Sequence, residues 1–142
     1  MYKHILVALE NGPADEDLLT HVKALAMALH SQMLLLHVAD GFAARHHDTL
    51  DLADSEEMKI DKNYLEKVAG QLHSEGLVIQ THMAFGNPPE EIVKVAEKEG
   101  CDLIAMGAHG HKFLGDLVHG STVTPVRHHT RLPVLVVRTS GK

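Results

Sequence analysis

The densest run of chemically useful residues is Gly107-Ala108-His109-Gly110-His111-Lys112-Phe113-Leu114-Gly115-Asp116-Leu117-Val118-His119-Gly120-Ser121-Thr122. Glycines directly after an apolar run permit close backbone approach and positive φ. Gly120-Ser121-Thr122, ahead of a helical segment, offers unpaired backbone N–H groups and two hydroxyls. That combination suits a phosphate. The alternative is a tight strand-to-helix turn whose glycines serve geometry alone. No Gly-Lys-Ser/Thr closes the segment, which excludes a Walker A loop, and the dinucleotide fingerprint is absent. Lys112 sits inside the stretch and could touch a phosphate; its alternative role is that of a solvated loop lysine.

Histidine is the unusual component of the composition. The chain has 13 histidines in 142 residues, and their protonation would turn a formal charge of −6 into +7. His109, His111 and His119 lie in the glycine-rich stretch. They could donate to a phosphate, with affinity rising as pH falls through about 6.5, or gather around a metal of unspecified identity. His46-His47-Asp48 and His128-His129 are adjacent in sequence, and neighbouring side chains do not converge on one ion. No structural zinc spacing occurs. The others read as surface imidazoles, with His4 and His37 satisfied within the fold. Cys101 has no second thiol to pair with and reads as inert, and Asp102 beside it as a cap or turn residue.

Hydrophobic residues make up 44% and charged residues 23%, an ordinary globular balance. The acidic charge at neutral pH excludes the basic footprint of a nucleic-acid binder. No apolar run approaches the roughly 20 residues that span a bilayer, and the N-terminus lacks a signal-peptide core. A soluble, cytoplasmic protein without membrane insertion is the expectation.

Five strand segments must position these residues: Ile5–Leu9, a continuous apolar run, then Met33–Val38, Leu77–Phe85, Asp102–Gly107 and Val134–Val137. Continuity rather than alternation marks strands covered on both faces. Between them lie helical patterns. Leu18, Leu19, Val22, Leu25, Ala26 and Leu29 follow Asp15, Glu16 and Asp17, which complement a helix dipole. From Glu56 onward, Ile60, Tyr64, Val68 and Leu72 share a face, while Gly41 to Ser55 reads as a loop able to act as a lid. Asn87 is placed to cap a helix that carries Ile92, Val93 and Ala96 inward, with Pro88 or Pro89 in its first turn and Glu90 reaching back. A short helix from about Ser121 to His129 precedes the last strand. The alternation specifies an α/β domain over residues 1–142 with a parallel sheet and right-handed crossovers. Ligands in such sheets bind outside the carboxyl ends of the strands, where the winding reverses.

Taken together, these blocks closely resemble the universal stress protein family over essentially the whole chain. Its nucleotide-binding signature of a glycine, two residues, a glycine, nine residues, then glycine with serine or threonine is matched by Gly107, Gly110, Gly120 and Ser121. Ile5-Leu6-Val7-Ala8-Leu9, Leu34-Leu35-Leu36-His37-Val38, Gly86-Asn87-Pro88, Asp102 to Gly107 and Pro133 to Val137 agree in order.

The resemblance implies a doubly wound five-stranded parallel sheet in the order 3-2-1-4-5 with four helices, of the adenine nucleotide alpha hydrolase-like kind. It implies ATP as ligand, with Mg or Mn as an accompanying ion. Gly107, Gly110, Gly120, Ser121 and Thr122 would hold phosphates and ribose, with Met106 and His109 nearby, and Val38 would line the adenine pocket through its backbone. Many ATP-binding members have Asp where this chain has Glu10, followed here by Asn11-Gly12-Pro13. The carboxylate is kept, one methylene longer, on the nucleotide or metal side; its alternative role is that of a helix-dipole carboxylate. A homodimer would form through Val134, Leu135, Val136 and Val137, which would cover an apolar edge.

No residue set proposes fast chemistry: a hydrolase needs a placed base or water-orienting group and a metal, and Glu10 and His109 are no more than candidates. The expected role is a nucleotide-dependent regulatory switch with an unidentified protein partner. The alternatives are a slow ATP hydrolase or phosphotransferase, and a nucleotide-free dimeric interaction module.

Overall fold

The computed structural model describes residues 1–40, 51–108 and 122–139. Its elements in chain order are β1 (His4–Ala8), α1 (Asp15–Leu29), β2 (Gln32–Asp40), α2 (Asp51–Ser74), β3 (Val78–Gly86), α3 (Pro88–Lys98), β4 (Leu103–Ala108), α4 (Val123–His129) and β5 (Val134–Arg138). The strands form one sheet in the order β3-β2-β1-β4-β5, every neighbouring pair parallel. β1 is the centre: Val7 stands opposite Leu35 of β2 on one side and Ala105 of β4 on the other.

Continuous apolar runs are required because side chains alternate between two covered faces. Ile5, Val7, Met33, Leu35, Leu103 and Ala105 pack with Leu18 and Val22 of α1 and with Leu65, Val68 and Leu72 of α2. Leu6, Leu34, Leu36, Ile104 and Met106 pack with Ile92, Val93 and Ala96 of α3 and Val126 of α4.

Three local expectations change. Residues 51–55, assigned to a loop from sequence, belong to α2, whereas the proposed lid at 41–50 lies outside the described residues. Ile60, expected on the inward face of α2, is 59% exposed. The buried stripe there runs through Leu65, Val68 and Leu72, so Ile60 sits on the solvent side. Asn87 occupies the cap position of α3 in an extended conformation, but its side chain makes no capping hydrogen bond; Pro88 at the first turn starts the helix.

Asp102 does more than cap a turn. Its carboxylate accepts the Lys3 amide at 2.9 Å and the His4 amide at 3.1 Å, fastening the start of β4 to the start of β1. Burial alone would raise its pKa, but the amides of His4, Lys3 and Asp102 itself and the charged N-terminus outweigh burial and lower it. The resulting stabilisation is present above the ordinary carboxylate value of about 3.9 and is lost as pH falls through the lower folded value. Urea midpoints of wild type should therefore drop on acidification to about pH 2.5, more steeply than those of Asp102→Asn; parallel profiles would show that these contacts do not couple to folding. The neighbouring Cys101 thiol is pushed up to about 11 by burial, with Glu99 and Asp102 adding to the effect, in keeping with an unreactive thiol.

Of the two strand histidines expected to be satisfied, His37 is and His4 is not: His4 Nε2 is buried without a hydrogen-bond partner among the described residues.

Candidate functional site

The turn after β1 is built around Asp15, which is 3% exposed at the first turn of α1. Its Oδ1 accepts the Glu10 amide at 3.0 Å, and its Oδ2 accepts the Asn11 amide at 2.8 Å and the Gly12 amide at 3.4 Å. Tyr64 of α2 donates its hydroxyl to Oδ2 at 2.6 Å. Burial raises the Tyr64 pKa, and the hydrogen bond to Asp15 and its negative charge raise it further, so the phenol remains a donor through the neutral range. The carboxylate thus folds three successive N–H groups around itself, while Asn11 takes a left-handed φ of 60°. The sequence assigned Asp15 only to the helix dipole. Its role in the preceding turn has one sequence correlate, an acid three residues after Gly12 in a turn cluster.

A second polar connection lies beside the first. The His37 ring, in a residue 8% exposed, places Nδ1 2.9 Å from the Leu9 carbonyl and Nε2 3.1 Å from Oδ2 of Asp61 on α2. Because a carbonyl only accepts, Nδ1 carries the hydrogen. Oδ1 of the same Asp61 accepts the side-chain amide of Asn11 at 3.1 Å. Asp61 and Tyr64, three apart on one helical face, therefore fasten α2 to the ends of β1 and β2.

These ends surround an open cavity of about 140 Å³. Its walls combine apolar residues, among them Leu36, Val38, Pro88, Ile92 and Met106, with Glu10, His37, Gly107 and Thr122. It opens at the carboxyl ends of β1, β2 and β4, where the winding reverses: the chain runs from β1 to β2 and β3 on one side and then returns to add β4 and β5 on the other. Gly107 has a packing reason of its own, since a Cβ there would stand 3.0 Å from the Ala14 Cβ at the cap of α1.

The structure thus brings together Glu10, Val38, Met106, Gly107 and Thr122. His109, Gly110, Gly120 and Ser121, with Lys112, His111 and His119, lie outside the described residues. The cap of α1 is Ala14 and the carboxylates in its first turn are Asp15, Glu16 and Asp17, while Glu10 borders the cavity. Among the described residues no three His, Cys, Asp or Glu side chains come together as a metal site. His128 and His129 are exposed in the last turn of α4 with Arg127, where the helix dipole favours positive charge. No helix of the described residues is long and apolar enough to cross a membrane.

The profile of the universal stress protein family matches residues 1–138. The chain is 33% identical to universal stress protein MJ0577 of Methanocaldococcus jannaschii, with 97% of this chain and 96% of that protein covered. The solved structure of MJ0577 superposes with a TM-score of 0.87 over 100% of this chain and 99% of that one. An Archaeoglobus fulgidus universal stress protein solved in complex with dAMP shares the fold at 19% identity, with a TM-score of 0.67 and 96% and 98% coverage. A universal stress protein solved with cAMP does so at 18% identity, with a TM-score of 0.70 and 98% of each chain covered. Profile, relative and fold agree over nearly the whole length, and the chain belongs to the universal stress protein family.

Proposed function

We propose that residues 1–142 act as one adenine-nucleotide-binding unit whose occupancy serves as a regulatory switch. The observation that carries this reading is the cavity at the carboxyl ends of β1, β2 and β4, lined by Glu10, Val38, Met106, Gly107 and Thr122. Its apolar walls suit a flat base. Glu10, Gly107 and Thr122 among the lining residues would meet ribose and phosphates, and Gly110, Gly120 and Ser121 would complete the phosphate cradle. Binding of dAMP and cAMP by proteins of the same fold supports the assignment.

ATP is the ligand proposed from the match of Gly107, Gly110, Gly120 and Ser121 to the family's signature. Glu10, the one carboxylate among the described cavity walls, is placed to meet an accompanying Mg or Mn ion. Glu10 as the one carboxylate among the described walls fits binding better than rapid turnover. A second copy would pair along β5, an edge strand whose Val136 is 36% exposed, and a further protein would read the occupied state.

Calorimetry with ATP, ADP and AMP tests the reading. Micromolar-order binding is expected for wild type, and its loss in Gly110→Val and Gly120→Val, with circular dichroism unchanged. A folded wild-type protein that takes up none of the three nucleotides would refute it. Mass spectrometry of any copurifying ligand identifies the nucleotide directly.

A further inference from the structure

His37 both borders the cavity and reaches α2, whereas Asp61, its partner on α2, is not a cavity-lining residue. Asp61 nevertheless acts on two segments that are. Through His37 it bears on the end of β2 next to Val38 and on the Leu9 carbonyl, and through the Asn11 side chain it holds the turn that carries Glu10.

We propose that Asp61 is a positioning residue for the nucleotide. It fixes the end of β1 and the end of β2 relative to each other, so that affinity depends on an α2 side chain that touches no ligand. The inference rests on the nucleotide-binding reading above.

The chemistry of the pair shows how to isolate this role. With Nδ1–H given to Leu9, a neutral ring presents a lone pair at Nε2 to the acceptor-only Asp61, and the contact becomes a hydrogen bond only when the ring is protonated. Asparagine at 61 reverses the preference: its amide N–H can donate to neutral Nε2 while its oxygen still accepts from Asn11.

The experiment measures AMP affinity by calorimetry, and thermal stability, for wild type, Asp61→Ala, Asp61→Asn and Asn11→Ala. Asp61→Ala is expected to weaken AMP binding about tenfold. Asp61→Asn, which keeps an oxygen to accept from Asn11 and gains an N–H to donate to Nε2, should return to within about twofold of wild type. A purely structural role would lower the melting temperature and leave the affinities of the folded proteins equal. Wild-type AMP affinity in Asp61→Ala overturns the positioning role alone. Absence of AMP binding by wild type overturns the nucleotide reading and this inference together. Should Asp61→Ala fail to fold, Asn11→Ala, which breaks only the Asn11 half of the link, decides: weakened AMP binding supports the role and wild-type affinity overturns it.

Discussion

Asp15→Ala is expected to lose about 3 kcal/mol of stability, because hydrogen bonds to a charged acceptor contribute about 1.5–3 kcal/mol each and buried donors left unpaired cost more still. Four donors converge on this carboxylate: the amides of Glu10, Asn11 and Gly12 and the Tyr64 hydroxyl. Water can reach the turn amides once the carboxylate is gone, which keeps the loss below the sum of four such bonds. Asp15→Asn retains one acceptor oxygen but loses the charge and the favourable position at the start of α1, so its loss should be about half as large. Tyr64→Phe removes one donor and leaves the turn intact. Urea unfolding reads these as shifts in midpoint at constant m-value. An Asp15→Ala midpoint within about 0.5 kcal/mol of wild type would place this carboxylate with ordinary surface substitutions.

Gly107→Val is the second large effect, and it strikes stability and binding together. A Cβ at this position would lie 3.0 Å from the Ala14 Cβ and 3.2 Å from the Ala14 carbonyl oxygen. Ala14 is 1% exposed at the cap of α1, and its carbonyl belongs to the backbone, so relief requires movement of the helix end. The γ-methyl groups of valine add to the crowding. Overpacking of this kind costs about 1–3 kcal/mol. The displaced α1 end carries the Asp15-held turn with it, so AMP binding should weaken by at least about tenfold, as misplacement of a positioned group does. Gly12→Ala is the matched control, because nothing lies within 4 Å of the Cβ it would add. Its midpoint should stay within about 0.5 kcal/mol of wild type. Equal effects for the two substitutions would refute the steric account.

The strands, their order and both covered faces could be read from the amino-acid sequence because each depends on short-range periodicity or on blocks in a recognisable order. Met33 to Val38 is continuous because Met33 and Leu35 face α1 and α2 while Leu34 and Leu36 face α3 and α4. What escaped was either a local pattern that misleads or a contact between residues far apart in the chain. The start of α2 was missed because residues 51–55 have no apolar stripe of their own, and Ile60 fits the same four-residue spacing as Tyr64 although it faces solvent. Asp15 could be placed at a helix start but not in the turn before it, since that role needs Tyr64, 49 residues later, to complete the carboxylate's environment. Asp61 carried no sequence signal: its partners, Asn11 and His37, lie on two other segments. In the candidate cavity, the positions toward the carboxyl ends of β1, β2 and β4 are where the rule for strand ends directs attention. The polar scaffold behind them did not.

The central position of β1 also bears on how the chain is made. One neighbour, β2, emerges from the ribosome soon after it, but the other, β4, ends at Ala108, a hundred residues beyond Ala8. At about 5–20 residues per second, synthesis of that interval takes roughly 5–20 seconds. Throughout that time one side of β1 lacks its final strand, and the Lys3 and His4 amides await Asp102. A nascent chain stalled before Leu103 therefore presents the open flank of an apolar strand that the finished protein never exposes, a natural target for a chaperone at the tunnel exit.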